Sequence, residues 1–302
     1  MGAIISRFAP APTGFLHLGH VVNAVYVWSE TRARRGRVLL RIEDHDRQRS
    51  RPEYETEILD DLAWLGFEAD GPMVRQSERG GIYELALSVL RRQGLVYACA
   101  CSRAEIAGVG RPLQGRQGDV LRDPGDPERI ALQDPERIAL QIETERCYPG
   151  TCRDRALAEA PGVGLRVRLE PAVERFVDLR HGPQEQRPSE QCGDLLVKDR
   201  EGNWTYQFAA AVDDLAQGVT LVVRGDDLLA STGRQIQLAR LLGRAEPPQF
   251  LHHPLIMKSS GGHLVKLSKS DGDSGIRELR AKGWTAKNVI DHAMSLLRRF
   301  PV

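Results

Sequence analysis

The sequence lacks any run approaching the ~18 uncharged apolar residues that cross a bilayer, which excludes a helical membrane span. Its first residues, MGAIISRFAPAPTG, have neither a basic lead nor an apolar stretch followed by a cleavage site, so a cytoplasmic protein is expected. Neither sign of charge is in excess. With 42 basic and 41 acidic residues the formal charge is +1, so no blanket electrostatic grip on nucleic acid or membrane exists, and any RNA contact must be local and shape-selective. Cysteines are few and odd in number. Cys99, Cys101, Cys147 and Cys152 cluster while Cys192 stands apart, a pattern that suits a metal site in a reducing compartment better than a disulfide framework. Lysine is scarce too, supplying 6 of the 42 basic residues, so places where lysines gather stand out.

What is present is an ordinary globular composition, 41% hydrophobic and 27% charged over 302 residues, enough for one large or two modest domains. Residues 3–9 (AIISRFA) are β-compatible, PAPTG makes a tight loop, and 17–35 carries apolar residues at helical spacing up to Gly36. A second strand is expected at 38–42, then the acidic turn Glu43-Asp44-His45-Asp46, then a helix over 53–65 closed by Gly66. Strand, helix, strand, helix implies a parallel α/β sheet, with ligands beyond the carboxyl ends of its strands, where PAPTG and EDHD both fall. A helix over 81–93 leads into YACACSR, after which 103–165 reads as an irregular insertion containing an exact repeat, DPERIALQ at 126–133 and 134–141. We read the repeat as a slippage duplication rather than an RNA-contacting arm. Order resumes with a strand at 194–199, a segment 204–216, a strand at 219–224, a helix at 232–243, a short strand at 254–257 and helical segments in 274–299.

Two motifs carry chemistry. His17-Leu-Gly-His20 is an HxGH sequence, of which random placement of this composition would give about 0.02 copies. Two imidazoles at the start of a helix, aimed with its N-terminal amides at the strand-end cleft, can donate to phosphate oxygens whose charge grows during displacement, and Gly19 lets a flat ring approach the backbone. The bland alternative is a pair of surface histidines capping a helix. The second motif is KLSKS at 266–270, which holds two of the six lysines between the flexible flanks SSGGH and DGDSG. Mobile ammonium groups on such a loop can follow a departing pyrophosphate. Together the motifs point to chemistry at the α-phosphate of ATP.

RFAPAPTGFLHLGH, RIEDHD, VDD followed by VVRGDDLLAST, and KLSKS resemble the class I glutamyl-tRNA synthetases over nearly the whole chain except about 103–146. The resemblance implies an α/β fold with a Rossmann-type parallel-sheet core (1–95 and 204–258), an inserted zinc-bearing, acceptor-contacting subdomain (96–203), and a KxSKS loop with short C-terminal helices (259–302). The chain stops at Val302, where full-length members continue into a helical anticodon-binding domain, so that domain is expected to be absent. This is similar to a truncated branch of the family, which activates L-glutamate with ATP and transfers it to the queuosine base in the anticodon loop of tRNA(Asp) rather than to the 3′ end. Carried over by motif, Arg7, Ala9, Ala11, Glu43, Tyr206 and Arg224 would bind glutamate. His17, Gly19, His20 and Lys269 would bind ATP, and His17, His20, Lys266 and Lys269 would be catalytic. The chemistry agrees, because a dianionic amino acid calls for arginine partners and its ammonium for a carboxylate, Glu43. The family commonly has RFAPS, so Ala11 removes a hydroxyl. In the empty enzyme Arg7 can also pair with Glu43. Mg2+ is implied with ATP.

For the metal, the family pattern CxC plus YxxxC maps onto Cys99, Cys101, Tyr148 and Cys152 as ligands of one structural Zn2+, whereas simple tetrahedral preference would choose Cys147 over Tyr148. Other features read as structural: Asp213 and Asp214 as solvated acids near the cleft, His252 and His253 as satisfied histidines, Cys192 as core, and Arg32, Arg34, Arg35 and Arg37 as cations at a helix C-terminus. A monomer is the default expectation. Two rival readings stay open: a glutamyl-adenylate former with another acceptor, such as a tRNA 3′ end or a small molecule, and a non-catalytic paralogue that binds RNA or glutamate.

Overall fold

A computed structural model describes residues 3–109, 147–260, 263–267 and 275–299. The chain opens with β1 (Ile5–Phe8), α1 (Leu18–Ala33), β2 (Arg37–Ile42), α2 (Pro52–Leu65) and β3 (Val74–Arg75). Local chemistry sets these bounds. His17 caps α1, and α2 starts on a proline at its first position, where no amide donor is needed, and ends on Gly66 at φ +80°. A Cβ on Gly36 would lie 2.7 Å from the Ile4 carbonyl, so only glycine lets the chain leave α1 and turn directly into β2. β1 and β2 run parallel from Ile5↔Arg37 to Phe8↔Leu40, and β3 adds a parallel edge.

Next come α3 (Gly80–Arg92), β4 (Val96–Cys99), α4 (Arg103–Val109), β5 (Gly164–Val167), β6 (Glu174–Asp178), β7 (Gly182–Gln186), α5 (Pro188–Gln191) and β8 (Leu195–Lys198). Then follow α6 (Tyr206–Ala216), β9 (Leu221–Gly225), α7 (Thr232–Leu241), β10 (Gln249–His253), a hairpin of β11 (Met257–Ser260) and β12 (His263–Lys266), α8 (Ile276–Ala281) and α9 (Ala286–Arg299). β9 and β6 flank β10 in parallel and β7 closes the far edge antiparallel, while β4, β5 and β8 form a separate antiparallel sheet. The two largely parallel sheets adjoin where Thr220 N donates to Ile5 O (2.8 Å) and Ile5 N donates to Thr220 Oγ1 (2.9 Å), which sets β9 beside β1.

The sheets are therefore mixed rather than uniformly parallel. β6, from within 96–203, is bonded to the core strand β10 through Phe250↔Asp178. The strand expected at 254–257 lies at 249–253, ending where Pro254 cannot donate to a ladder, and β11 begins afresh at Met257. The 103–165 stretch carries α4 and the start of β5 among its described residues; the DPERIALQ repeat lies outside them.

One core packs α1 between β1, β2 and the C-terminal helices, with Val27, Val38, Ile42, Ile58, Ile276 and Val289 fully buried. A second lies under α3, α6, β5 and β8, and a small satellite joins Cys99, Tyr148 and Cys152. Among the described residues no helix is long and apolar enough to cross a membrane.

Candidate active site

The HxGH motif is a reciprocal cap. The Gly19 amide donates to His17 Nδ1 (3.0 Å) and the His17 amide to His20 Nδ1 (3.1 Å), with the ring centroids 4.0 Å apart. Because both Nδ1 atoms accept, each neutral ring carries its proton on Nε2. The capping alternative and the phosphate-facing one are thus compatible. A Cβ at Gly19 would come within 2.8 Å of His17 Cε1, which explains the glycine between the two histidines.

The segment after the KLSKS loop is tied to this cap by an isolated bridge, His17↔Gly275, and by Ile276 N donating to Leu16 O (3.0 Å). Leu267, within the KLSKS motif, donates from its N to Ile256 O (2.9 Å). Lys266 pairs with Met257 in the hairpin backbone, its side chain lying outside the described part, and Lys269 falls outside the described residues.

Beneath β1 and β2 lies a buried lattice of three arginines and three carboxylates. Arg7 Nε meets Asp214 Oδ1 at 3.0 Å and its Nη1 donates to Val223 O at 3.3 Å. Arg41, fully buried, donates to Asp214 (2.7 Å), Gln217 (2.9 Å) and Glu43 (3.3 Å). Asp213 takes Arg79 (2.5 Å), Gln76 (2.8 Å) and the Tyr83 hydroxyl (2.8 Å). Burial alone would raise the Asp214 carboxyl, but Arg7 and Arg41 outweigh it and hold it below the usual range. Burial raises Glu43, against the pull of Arg41 and Arg7. For Arg41 burial opposes the charged form, yet Asp214, Glu43 and Asp213 overcome it and raise its pKa.

Two expectations are corrected here. Glu43 pairs with Arg41 rather than Arg7, because residues 41 and 43 stand two apart at a strand end and share one face. Asp213 and Asp214 are not solvated: they are 0% and 7% exposed and anchor the lattice. Arg41, Arg79, Gln76 and Tyr83 were not singled out from the sequence. The available signal was a pair of acids set between FAAAV and Leu-Ala on one helix, a small and apolar setting that demands buried cations.

Arg224, at the end of β9, donates from Nε to His252 Nε2 (3.0 Å), from Nη1 to Gln235 (2.6 Å) and from Nη2 to Thr232 (2.7 Å). Its guanidinium also bonds the Tyr206 hydroxyl, whose pKa burial and Glu43 raise. Ala9 and Ala11 are half-buried in the first loop, which is fastened to the acidic turn by Glu43 N donating to Pro10 O (2.9 Å); Ala11 O accepts from Thr13 N (2.8 Å). A cleft of about 630 Å³ runs from Tyr206, His45 and Arg49 to Cys101 and Arg166.

At the cysteines, the sulfurs of Cys99, Cys101 and Cys152 lie within 4.8 Å of one another. The Tyr148 hydroxyl is 3.4 Å from Cys99 Sγ and accepts from Cys152 N at 2.8 Å. Cys147 Sγ is turned to the Glu190 carbonyl (3.6 Å) and is outside that group. Gly193 (φ +69°) permits this arrangement, since a Cβ there would sit 2.1 Å from Tyr148 O. Burial and the bond to Cys152 push the Cys101 thiol up to about 11; for Cys152 the Ala100 amide and Cys101 overcome burial and bring it down to about 7. The Arg166 guanidinium lies 3.6 Å from the Tyr148 ring centroid, and its Nε donates to Cys99 Sγ (3.3 Å). Three thiols and a phenol oxygen, with a cation beside them, are a donor set that fits Zn2+. Elsewhere, Arg32 and Arg34 pair with Asp70 (2.7 Å) and Glu30 (2.5 Å), and Cys192 is buried.

A mixed α/β core with an HxGH cap at its first helix defines a class of enzyme, and the sequence pattern of tRNA synthetases class I (E and Q), catalytic domain, matches residues 3–299. The chain belongs to that family. Among curated relatives it is 42% identical over 268 residues to the glutamyl-Q tRNA(Asp) synthetase of Bordetella bronchiseptica, covering 89% of this chain and 75% of the relative. It is 38% identical over 299 residues to the glutamyl-Q tRNA(Asp) synthetase of Rhodobacter capsulatus, covering 95% and 98%. A solved glutamate tRNA ligase from Elizabethkingia meningosepticum, in complex with its amino acid, superposes with a TM-score of 0.67 at 28% identity over 90% of this chain. The chain spans about half, 53%, of that ligase.

Proposed function

We propose that the protein activates L-glutamate with ATP and transfers it to the queuosine base in the anticodon loop of tRNA(Asp), a reading supported by relatives named glutamyl-Q tRNA(Asp) synthetase. The observation that carries the chemistry is the reciprocal His17/His20 cap joined to Gly275 at the far end of the KLSKS segment. A glutamate carboxylate oxygen attacks the α-phosphorus of ATP, forming one P–O bond as the bond to pyrophosphate breaks. The Nε2–H groups of His17 and His20 donate to the oxygens where charge grows, and Gly19 lets the nucleotide's phosphates approach the helix N-terminus. Lys266 and Lys269 hold the leaving pyrophosphate. Mg2+ arrives with ATP and offsets phosphate charge. A hydroxyl of the modified base then attacks the acyl carbon and AMP departs.

For the amino acid, Arg7 and Arg224 face the carboxylates, Glu43 the ammonium and Tyr206 a carboxylate oxygen, while Ala9 and Ala11 offer backbone atoms. This assignment is supported by Tyr206 lying within electrostatic range of Glu43, Arg224 and Arg7, and by the bonds that hold Arg7, Glu43 and Arg224 to their protein neighbours before substrate arrives. Cys99, Cys101, Tyr148 and Cys152 would hold one Zn2+, whose contribution would be structural, stabilising an acceptor-contacting subdomain. The proposal includes a cytoplasmic monomer.

The test is glutamate-dependent exchange of labelled pyrophosphate into ATP without tRNA, with Lys269→Ala as control, followed by transfer to tRNA(Asp) with and without queuosine. Exchange that the substitution abolishes, and transfer only to the queuosine form, are the expected results. Exchange that needs bulk tRNA would indicate an ordinary glutamyl synthetase, and no exchange under either condition a binding paralogue.

A further inference from the structure

His252 is wholly buried, and the proposed chemistry leaves it unused. Its Nδ1 lies 2.7 Å from Asp178 Oδ2, and its backbone amide donates to the same oxygen at 3.0 Å. The other carboxylate oxygen of Asp178 accepts from the amides of Arg180 (3.0 Å) and His181 (2.9 Å). With four donors on two oxygens the carboxylate is saturated and ionised, and burial is outweighed by those bonds, so its pKa falls below the usual range. An anionic Asp178 places the imidazole proton on Nδ1. Nε2 is then a bare acceptor, and it receives the Nε–H of Arg224 at 3.0 Å.

Arg224 is thereby gripped on three sides. His252 takes Nε, Gln235 takes Nη1 and Thr232 takes Nη2, and Gln235 is itself aligned by its donation to Gln207 (2.7 Å). Nη2 also donates to Leu228 O (3.4 Å), and the guanidinium bonds the Tyr206 hydroxyl. A guanidinium free to rotate would lose entropy on gripping a carboxylate, whereas one already fixed would not.

We infer that Asp178 and His252 form a positioning relay that presets the Arg224 guanidinium for the substrate carboxylate and so sets the affinity for glutamate. The inference rests on the assignment of Arg224 to glutamate made above. It also connects β6 to the amino-acid site, because Asp178 ends the strand that pairs with β10 and a residue from 96–203 thus aims a group that meets glutamate.

Paired substitutions in the full chain, read by pyrophosphate exchange, test it. His252→Asn keeps a donor toward Asp178 but removes the acceptor from Arg224; His252→Gln keeps an acceptor near the Nε2 position. His252→Asn should raise the KM for glutamate roughly tenfold, about 1.4 kcal/mol, with kcat and the KM for ATP within twofold. His252→Gln should recover most of that loss. A glutamate KM unchanged in His252→Asn, while Arg224→Lys raises it, would overturn the relay and leave Arg224 in its role. An unchanged KM in Arg224→Lys would remove both. Equal impairment of kcat and both KM values in the two His252 variants would reduce His252 to a structural residue and overturn the relay. Should either variant fail to fold, 15N spectra of histidine-labelled wild-type protein decide: His45 and His253 also turn Nδ1 to a carbonyl oxygen, so the relay requires the ring assigned to His252 itself to be protonated at Nδ1 and bare at Nε2, with signals that move on saturation with glutamate. No such ring, or one indifferent to glutamate, overturns it.

Discussion

The arginine–carboxylate lattice under β1 and β2 and the thiol cluster beside β4 are both buried clusters of titratable groups, yet they are held in opposite ways. In the lattice Arg7, Arg41 and Arg79 balance Glu43, Asp213 and Asp214 through bonds of 2.5–3.3 Å. In the cluster the contacts are weak sulfur ones, Cys101 to Cys152 at 3.5 Å and Cys99 to Tyr148 at 3.4 Å. The lattice is organised by the fold itself, with each charge answered by another protein charge. The thiols are brought into range by the fold, and a bound cation would supply the organising force. The side proposed to meet a flexible amino acid is thus the rigid one.

The most direct way to break this contrast is Asp214→Asn. It leaves Arg7 and Arg41 buried with one negative charge fewer, and the expected loss is about 3–5 kcal/mol in urea unfolding. A loss below about 1 kcal/mol would mean that the lattice is not what holds that half.

Acid probes the same half through His252. Burial, with Arg224 nearby, draws its pKa from 6.5 down to about 4, against the opposing pull of Asp178 and Asp226. A folded pKa below the unfolded one means that the unfolded chain binds the extra proton first. The contribution of neutral His252 is complete above pH 6.5 and lost as pH falls toward 4, on the order of 3 kcal/mol. Urea midpoints between pH 7 and 4 should slope downward more in wild type than in His252→Asn, and parallel slopes would refute the assignment.

On the thiol side the effect is smaller and conditional. Zn2+ at about one hundred times its dissociation constant should add about 2.7 kcal/mol, removed by a chelator. Exchange of pyrophosphate should survive at more than half its rate, because the lattice does not depend on the metal. Tyr148→Phe should weaken Zn2+ in chelator competition, whereas Cys147→Ser should leave it within about twofold. The reverse order would assign the fourth ligand to Cys147.

The elements at the front of the chain were legible because their signals are local: Pro52 and Gly66 bracket α2, and the HxGH cap starts α1 within a residue of its observed limit. Of the strands that escaped, β5 to β7, the clearest case is β7, whose sequence GPQEQ has no apolar alternation at all. At the site, the motif residues were legible as types, and their mutual partners were not. Arg7 and Asp214 are 207 positions apart, Arg41 and Asp214 173, and no periodicity spans such distances. The CxC spacing pointed to a cysteine cluster, which the structure forms, but that Tyr148 rather than Cys147 turns toward it goes with Gly193 and its positive φ, 45 residues beyond Tyr148.

The bond from Ile276 N to Leu16 O, together with the packing of Ile276, Leu279, Val289 and Ala293 into the core around α1, bears on how the protein is born. The helix that displays the HxGH motif packs on β1, β2 and β9 as well, but cannot complete the burial of its face until residues beyond 289 have emerged. At roughly 5–20 residues per second, synthesis leaves α1 waiting about 12–50 s for its partners. During that interval the part of its apolar face that those helices cover is available to chaperones, so the end proposed to handle phosphate is completed late even though its residues are made first.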